Sequence, residues 1–196
     1  MPIAKFYNSL KKEYSLSETA ISILQAEFVE ENIEKGAYIL EQGKLFYEMI
    51  FLVKGVACSL IEKEEKEIIP YIGFDGDLIA LPLNDNFRSS ATLIAIENCI
   101  LLQINIKRFE EIIQNNAELS FMSYRLFKKM LAEVAREYFD YWGVEAKDQY
   151  LKLIEENPEI LNRVPLKYIA SNLGVTPSSL SRIRAQIVDR YRDNKK

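Results

Sequence analysis

Val164–Ile187, VPLKYIASNLGVTPSSLSRIRAQI, holds two short helical patterns separated by a single turn. Ile169 and Leu173 stand four apart, so Leu166 to Leu173 makes an amphipathic helix with its apolar residues on one face. Gly174 falls where the chain must leave that helix, at the position that favours a left-handed residue. Thr176 suits an N-cap and Pro177 a first helical residue, so a second helix starts at once. Ala170 is small where the two helices would cross closely. The apolar spacing alone would also fit a plain αα-hairpin. Ala170, Gly174 and the Thr-Pro start together favour a helix-turn-helix, whose second helix lies in the major groove of DNA.

With Leu180, Ile183 and Ile187 turned inward, the opposite face of the second helix carries Ser178, Ser179, Ser181, Arg182 and Ala185. Arg182 is the residue best suited to discriminate bases, because its planar fork donates twice to a guanine edge, worth roughly 1–3 kcal/mol. Ser178 and Ser179 suit a base edge or a phosphate, and Thr176 with the free N–H groups of the helix start suits a phosphate. Lys167, Arg184 and Arg163 are expected as phosphate clamps or solvated charges.

The segment RVPLKYIASNLGVTPSSLSRIR, residues 163–184, resembles the DNA-binding motif of the Crp/Fnr-type bacterial transcription regulators, in the branch common in Bacteroidetes-like bacteria. The resemblance places Arg182 on the family's base-reading Arg. It departs at Ser178, where members often carry a Glu that reads a base, so the family's familiar operator does not carry over.

The 196 residues suffice for one large domain or two modest ones with a buried core. No apolar run approaches the roughly 18 residues of a membrane span. The opening MPIAKFYNSLKKEYS lacks the apolar centre of a secretory signal, which makes the cytoplasm the expected location. The chain contains no histidine. That removes His-based catalysis, His-ligated haem, the usual zinc sites and a cupin-type metal site. Cys58 and Cys99 lie inside apolar, strand-like segments and read as buried core thiols. Two cysteines are also too few for an iron–sulfur cluster. Net charge is −4 and uneven: from Pro158 onward eight Lys/Arg face three Asp/Glu, a net of +5, which leaves −9 on residues 1–157. An acidic body with a basic end suits a protein that offers only its C-terminus to phosphates.

Pro2 to Lys12 and Ser17 to Phe28 read as helices, the second N-capped by Ser17 with Ile21, Leu24 and Phe28 on one face. Glu27, Glu30, Glu31 and Glu34 read as a solvated face and strand edge, not a metal cluster. From Asn32 to Ile106 the pattern turns to short apolar or alternating runs. Strands are predicted near 37–41, 49–53, 56–62, 66–72, 78–80, 91–97 and 100–104, with Glu62–Glu67 as a charged hairpin tip. Strands this short and numerous imply a jelly roll or barrel. Lys107–Gln114 and a long segment from about Ala117 to Tyr141 are helical again. The long one carries Leu119, Met122, Leu126, Met130, Leu131, Val134 and Tyr138 near a 3–4 repeat. That repeat fits either a helix paired with its twin or a helix packed on its own β-domain. Tyr138, Phe139, Tyr141 and Trp142 are expected to form a core at a hinge broken by Gly143. Glu145–Glu156 makes a further helix with Tyr150, Leu151 and Ile154 inward, and Arg190–Lys196 a frayed basic tail.

The resemblance extends over this part, to roughly residues 18 to 190. Ile39 to Gly55, ILEQGKLFYEMIFLVKG, looks like the opening of a cyclic-nucleotide-binding-type domain. Gly76-Asp77-Leu78-Ile79 is similar to the start of that family's phosphate cassette, and Ser90-Ala91-Thr92 with Glu97-Asn98-Cys99 to its end. The cassette itself departs. A nucleotide-binding member has a small residue and then a Glu for the ribose hydroxyl, where Ala80 and Leu81 stand here. It also has an Arg directly before the Ser-Ala pair, where Ser89 stands, with Arg88 one residue early. In a strand such a shift turns the side chain to the other face, and a buried phosphate without a cationic partner is expensive. Cyclic nucleotide is therefore not the expected ligand. Ile79, Ala80, Leu81, Arg88, Ser89 and Ser90 remain the expected effector pocket.

The sequence thus predicts an α+β chain. Residues 1–115 form a double-stranded β-helix (jelly roll) with flanking helices, 116–143 a long dimerisation helix and hinge, and 144–196 a winged-helix-like helix-turn-helix domain. The implied function is a homodimeric, sequence-specific regulator that binds double-stranded DNA, with the roll sensing an unidentified small-molecule effector or serving as scaffold. One alternative is a regulator that responds to a cyclic nucleotide through Arg88. The other, from a different class, is a jelly-roll enzyme with an appended helical domain, against which the absent histidines and the lack of a nucleophile–base pair both count. No catalytic residue, metal site, cofactor or membrane partner is expected.

Overall fold

A computed structural model describes residues 2–63, 66–82 and 86–193. In chain order these form α1 (Pro2–Tyr14), α2 (Glu18–Glu27), β1 (Val29–Ile33), β2 (Tyr38–Leu40), β3 (Glu48–Lys54), β4 (Ala57–Lys63), β5 (Lys66–Gly73), β6 (Leu78–Ala80), β7 (Thr92–Ala95) and β8 (Cys99–Asn105). Helices follow: α3 (Ile106–Asn115), α4 (Ala117–Gly143), α5 (Ala146–Glu156), α6 (Ile160–Arg163), α7 (Leu166–Asn172) and α8 (Pro177–Asp193). The strands pair antiparallel into two four-stranded sheets, ordered β1-β8-β3-β6 and β2-β7-β4-β5.

Strand periodicity explains how the layers stack. In β3, Met49, Phe51 and Val53 face helices α1 to α4, while Ile50 and Leu52 face the other sheet. The space between the sheets is closed by Ala57, Leu93, Ala95, Cys99 and Leu101. The outer face of the second sheet presents Cys58, Ile69 and Ile72 to Tyr150, Ile160, Ile169, Leu173 and Leu180 of the C-terminal helices. Four layers result, with helices outside both sheets. Gly55 joins β3 to β4 at φ 122°, where a Cβ would come 2.6 Å from Cys99 Sγ. Both thiols are free and buried, and burial pushes Cys58 up to about 12 and Cys99 to about 11.

Several expectations are corrected. β1 was not predicted as a strand, because its VEENI sequence is polar and mostly exposed; what fixes it is pairing with β8, from Val29 opposite Gln103 to Ile33 opposite Cys99. Among the described residues no strand follows β8, so the expected wing is absent from them: where a wing would follow the second helix of the pair, α8 itself runs on to Asp193. In α5, Tyr150 is buried, Leu153 and Ile154 pack in its cluster, and Leu151 is half-buried as they are. The segment expected to fray is helical through Asp193, and residues 194–196 lie outside the described ones. Tyr138 and Phe139 are 61% and 71% exposed and form no hinge core; the side chains of Tyr141 and Trp142 lie outside the described residues. The apolar repeat of α4 divides between two faces. Leu119 and Met122 are buried in the core with α1 and β3 and Leu126 and Met130 are half-buried, whereas Leu131, Val134 and Tyr138 stand exposed, as does Tyr124 outside the predicted repeat.

Candidate functional site

The α7–α8 pair is built by local chemistry. Gly174 adopts φ 66°, Gly174 N–H donates to the Ser171 carbonyl at 3.1 Å and Val175 N–H to the Ala170 carbonyl at 2.9 Å. This is a left-handed glycine cap with both of its backbone bonds formed. Thr176 Oγ1 accepts from Ser179 N–H at 3.2 Å and caps α8. Leu180, Ile169 and Ala170 are fully buried, so the two helices cross on small and apolar residues.

The candidate DNA-contacting side chains are distributed as follows. Thr176, Ser178, Arg182, Arg184 and Lys167 are exposed and Ser179 is half-buried. Around the start of α8 the hydroxyls form a cluster, with Thr176 Oγ1 2.9 Å from both Ser178 Oγ and Ser179 Oγ. Arg182 Nη2 donates to Ser179 Oγ at 3.5 Å, which ties the guanidinium to that cluster. Lys167 Nζ lies 4.8 Å over the Tyr168 ring. Arg163 is a different matter. It does not offer a free clamp for phosphate: its guanidinium pairs with Glu97, and with Asp75 at 2.9 Å, and these partners raise its pKa further above the usual arginine value. Sequence proximity to the motif misassigned it, because its partners lie far away in the chain.

The candidate effector residues line one cavity of about 480 Å³ in the roll. Ile79, Ala80 and Leu81 form one side and Arg88, Ser89 and Ser90 another. Arg88 follows Phe87, which is left-handed at φ 53°, and bridges to Leu45. Its Nη1 donates to the Gly43 carbonyl at 2.7 Å. Ser89 Oγ donates to the Ala91 carbonyl at 2.5 Å. Sequence reading missed the outer wall, which comes from α1 and α4: Leu10, Glu13 and Tyr14 face Leu126, Lys129 and Met130. A Glu13–Lys129 ion pair at 3.0 Å and Arg125 5.1 Å over the Tyr14 ring hold that wall together. No local pattern marks these residues, since two helices more than a hundred residues apart supply them.

Tyr71, Asp77 and Glu133 line this cavity and also a second cleft, of about 500 Å³, that opens toward α5 and Asn172. Asp77 Oδ2 accepts from Phe74 N–H at 2.8 Å and from the Tyr71 hydroxyl at 3.1 Å. Burial still pushes its carboxyl above the usual aspartate value, against those two bonds. Among the described residues no cluster of His, Cys, Asp or Glu is arranged to hold a metal ion, and no helix is long and apolar enough to cross a membrane.

Residues 30–116 match the family model of the cyclic nucleotide-binding domain. No curated protein matches this chain significantly in sequence. Among solved structures it is similar to FixK2 from Bradyrhizobium japonicum, with TM-score 0.70 and 13% identity over 83% of this chain and 85% of that one. A CooA mutant from Carboxydothermus hydrogenoformans matches with TM-score 0.66 and 17% identity over 86% and 79%. The catabolite activator protein of Thermus thermophilus matches with TM-score 0.55 and 17% identity over 89% and 85%. Residues 30–116 therefore have the fold of a cyclic nucleotide-binding domain, within a chain that shares its fold with regulators of the Crp/Fnr family.

Proposed function

We propose that this protein is a homodimeric, sequence-specific transcription regulator of the Crp/Fnr type that reads double-stranded DNA with α8. The observation that carries the reading is the two-sided character of that helix. Leu180 is fully buried while Ser178, Arg182 and Arg184 project to the surface beyond a capped turn. On this reading Arg182 reads a base edge with Ser178 and Ser179 beside it, and Thr176, Lys167 and Arg184 hold phosphates. Residues 144–196 form the DNA-binding domain, residues 116–143 the dimer helix and residues 1–115 the sensing or scaffold domain. The protein acts in the cytoplasm and is not an enzyme.

The exposed stripe on α4 supports the dimer. Tyr124, Leu131 and Tyr138 are exposed and spaced by seven, with Val134 between the last two, the spacing that a two-stranded coiled coil uses for its seam. A second copy of this chain has the same stripe and the same length. Pairing also gives two heads able to read half-sites about 34 Å apart. Where the roll serves as a sensor, its effector is a small molecule other than a cyclic nucleotide. Leu81 stands where the ribose contact is needed, and Arg88 is engaged with Gly43.

Selection of bound sequences from a random duplex pool, with and without cyclic AMP, tests this. An enriched palindrome unchanged by the nucleotide is expected. Enrichment only with nucleotide would return the ligand role to Arg88. No enrichment in either arm would overturn α8 as a reading helix.

A further inference from the structure

The charges around the roll cavity are not equally available. Its body is apolar, lined by Leu40, Phe51, Leu78, Leu81, Leu126 and Met130. Its volume of about 480 Å³ is roughly three times that of a dry apolar cavity that takes up benzene, ~150 Å³. Among the described residues two cations line it, and both are engaged. Arg88 Nη1 donates to the Gly43 carbonyl at 2.7 Å, and Lys129 Nζ pairs with Glu13 at 3.0 Å. Wall hydroxyls are engaged as well: Ser89 donates to the Ala91 carbonyl, Ser59 to the Tyr71 carbonyl at 3.3 Å, and Tyr71 to Asp77 at 3.1 Å.

The acids are placed differently. Glu13, Asp77 and Glu133 all line the cavity. Glu13 holds Lys129, and Asp77 accepts from Phe74 N–H and the Tyr71 hydroxyl. Glu133 forms no hydrogen bond or ion pair among the described residues. It stands exposed on α4, one turn beyond Lys129 and three residues beyond Met130, on the face that walls the cavity. Lys129, whose pKa is raised first by its bond to Glu13 and last by the Glu133 charge, is already taken.

The charge of a ligand decides which internal bonds it displaces. A carboxylate or phosphate has to draw Lys129 from Glu13 or Arg88 from Gly43, and the first exchange strands the Glu13 carboxylate on a wall that also holds Glu133. A protonated amine meets Glu133 and breaks nothing. We propose that the roll cavity takes an organic ammonium, whose apolar body fills the cavity and whose protonated nitrogen pairs with Glu133 at its rim. This charge is opposite to that of a cyclic nucleotide. The inference rests on the roll as a sensor and is independent of α8 as the DNA reader.

Three probes with one body and three charges test it on the full chain: 1-naphthylmethylamine, 1-naphthylmethanol and 1-naphthoate. They are titrated calorimetrically at neutral pH and about 50 mM salt, where exposed charges are weakly screened. The amine binds about 3-fold tighter than the alcohol, the scale of one exposed ion pair, and the carboxylate binds weakest. Glu133→Gln removes the amine's advantage and leaves the affinity for the alcohol unchanged. Met130→Trp, at a residue that lines this cavity and not the cleft toward α5, weakens binding of all three. If Met130→Trp does not fold, Ser90→Trp on the exposed loop of the opposite wall takes its place. A carboxylate that binds as tightly as the amine would overturn the inference, as would an amine advantage that survives Glu133→Gln. Amine binding untouched by the cavity-filling variants would move the site to the second cleft, which Glu133 also lines, and overturn it likewise. If no probe binds, the sensing role of the roll falls and this inference with it, whereas a carboxylate that binds best leaves the sensing role standing.

Discussion

The roll cavity and the α7–α8 pair both contain cations and hydroxyls at the positions where a ligand-handling protein needs them, yet they use them in opposite ways. In the cavity, Arg88 is bonded to the Gly43 carbonyl, Ser89 to the Ala91 carbonyl and Lys129 to Glu13, so the polar groups serve the protein's own loops and walls. On α8 the apolar residues do the structural work. The polar ones, Ser178, Arg182 and Arg184, are left at the surface. Around the start of α8 the hydroxyls and Arg182 bond one another yet stay at the surface, so a partner meets them without entering a closed space. A cavity whose cations are already paired must trade an internal bond for each ligand bond, which favours an occupant that binds through its apolar body.

The comparison breaks most sharply if the buried side of α8 is removed. Leu180→Ala deletes a fully buried side chain and is expected to cost about 2–5 kcal/mol, read by urea unfolding. Leu131→Ala, at 68% exposure on α4, is expected to stay within about 0.5 kcal/mol for the monomer. Equal costs would mean that the exposed stripe packs against this same chain. The charged pair L131E/Y138E then asks what the stripe is for. Sedimentation is expected to show the parent as a dimer and this variant as a monomer; a dimer that survives both charges would place the seam elsewhere.

Arg182→Ala comes next. It is expected to lose roughly 1–3 kcal/mol at the selected site and to relax specificity there, while leaving the slope of affinity against salt nearly unchanged. A uniform loss on all sequences, with a shallower salt slope, would make Arg182 a phosphate contact and leave base reading to the serines.

What the sequence revealed divides along the range of the interaction. The α7–α8 turn was legible because each of its signals acts within a few residues: the Gly174 cap, the Thr176 hydroxyl and the spacing of Ile169, Leu173 and Leu180. The roll was legible from strand alternation, and its six cavity residues from the resemblance of the cassette. Features made by distant partners were not. β1 exists through its pairing with β8, Arg163 is claimed by Asp75 and Glu97, and the cavity's outer wall joins α1 to α4. The aromatic run near Gly143 misled for a related reason. Apolar residues on a helix are written alike whether they pack on their own domain or stand exposed, as Tyr138 and Phe139 do.

A smaller effect tests how the cavity carries charge. Asp77 has its carboxyl raised above the ordinary value of 3.8, with burial the largest cause, so folding favours the protonated form. A raised folded pKa contributes stability that is fully present below the unfolded value and is lost as pH rises through the folded one. Asp77→Asn keeps an acceptor for Phe74 N–H and the Tyr71 hydroxyl but cannot ionise. The parent's stability relative to Asp77→Asn should therefore be greatest in acid and decline as pH rises above the ordinary aspartate range, in urea midpoints taken at successive pH values. A parent that instead gains on the variant with rising pH would show that the Lys129 charge outweighs burial at Asp77 and holds it ionised.

The smallest expected effect is also the one that most directly probes the family's ligand chemistry. Arg88 is exposed, with Nη1 on the Gly43 carbonyl, so Arg88→Ala removes a surface-loop bond and is expected to change stability by no more than about 0.5 kcal/mol. If the cavity does not hold a cyclic phosphate, millimolar cyclic AMP shifts the thermal midpoint of neither protein. A shift in the parent that vanishes in Arg88→Ala would mean that the guanidinium leaves Gly43 for a phosphate. The one-residue offset from the cassette pattern would then be absorbed by the left-handed turn at Phe87, which re-aims the side chain that follows it.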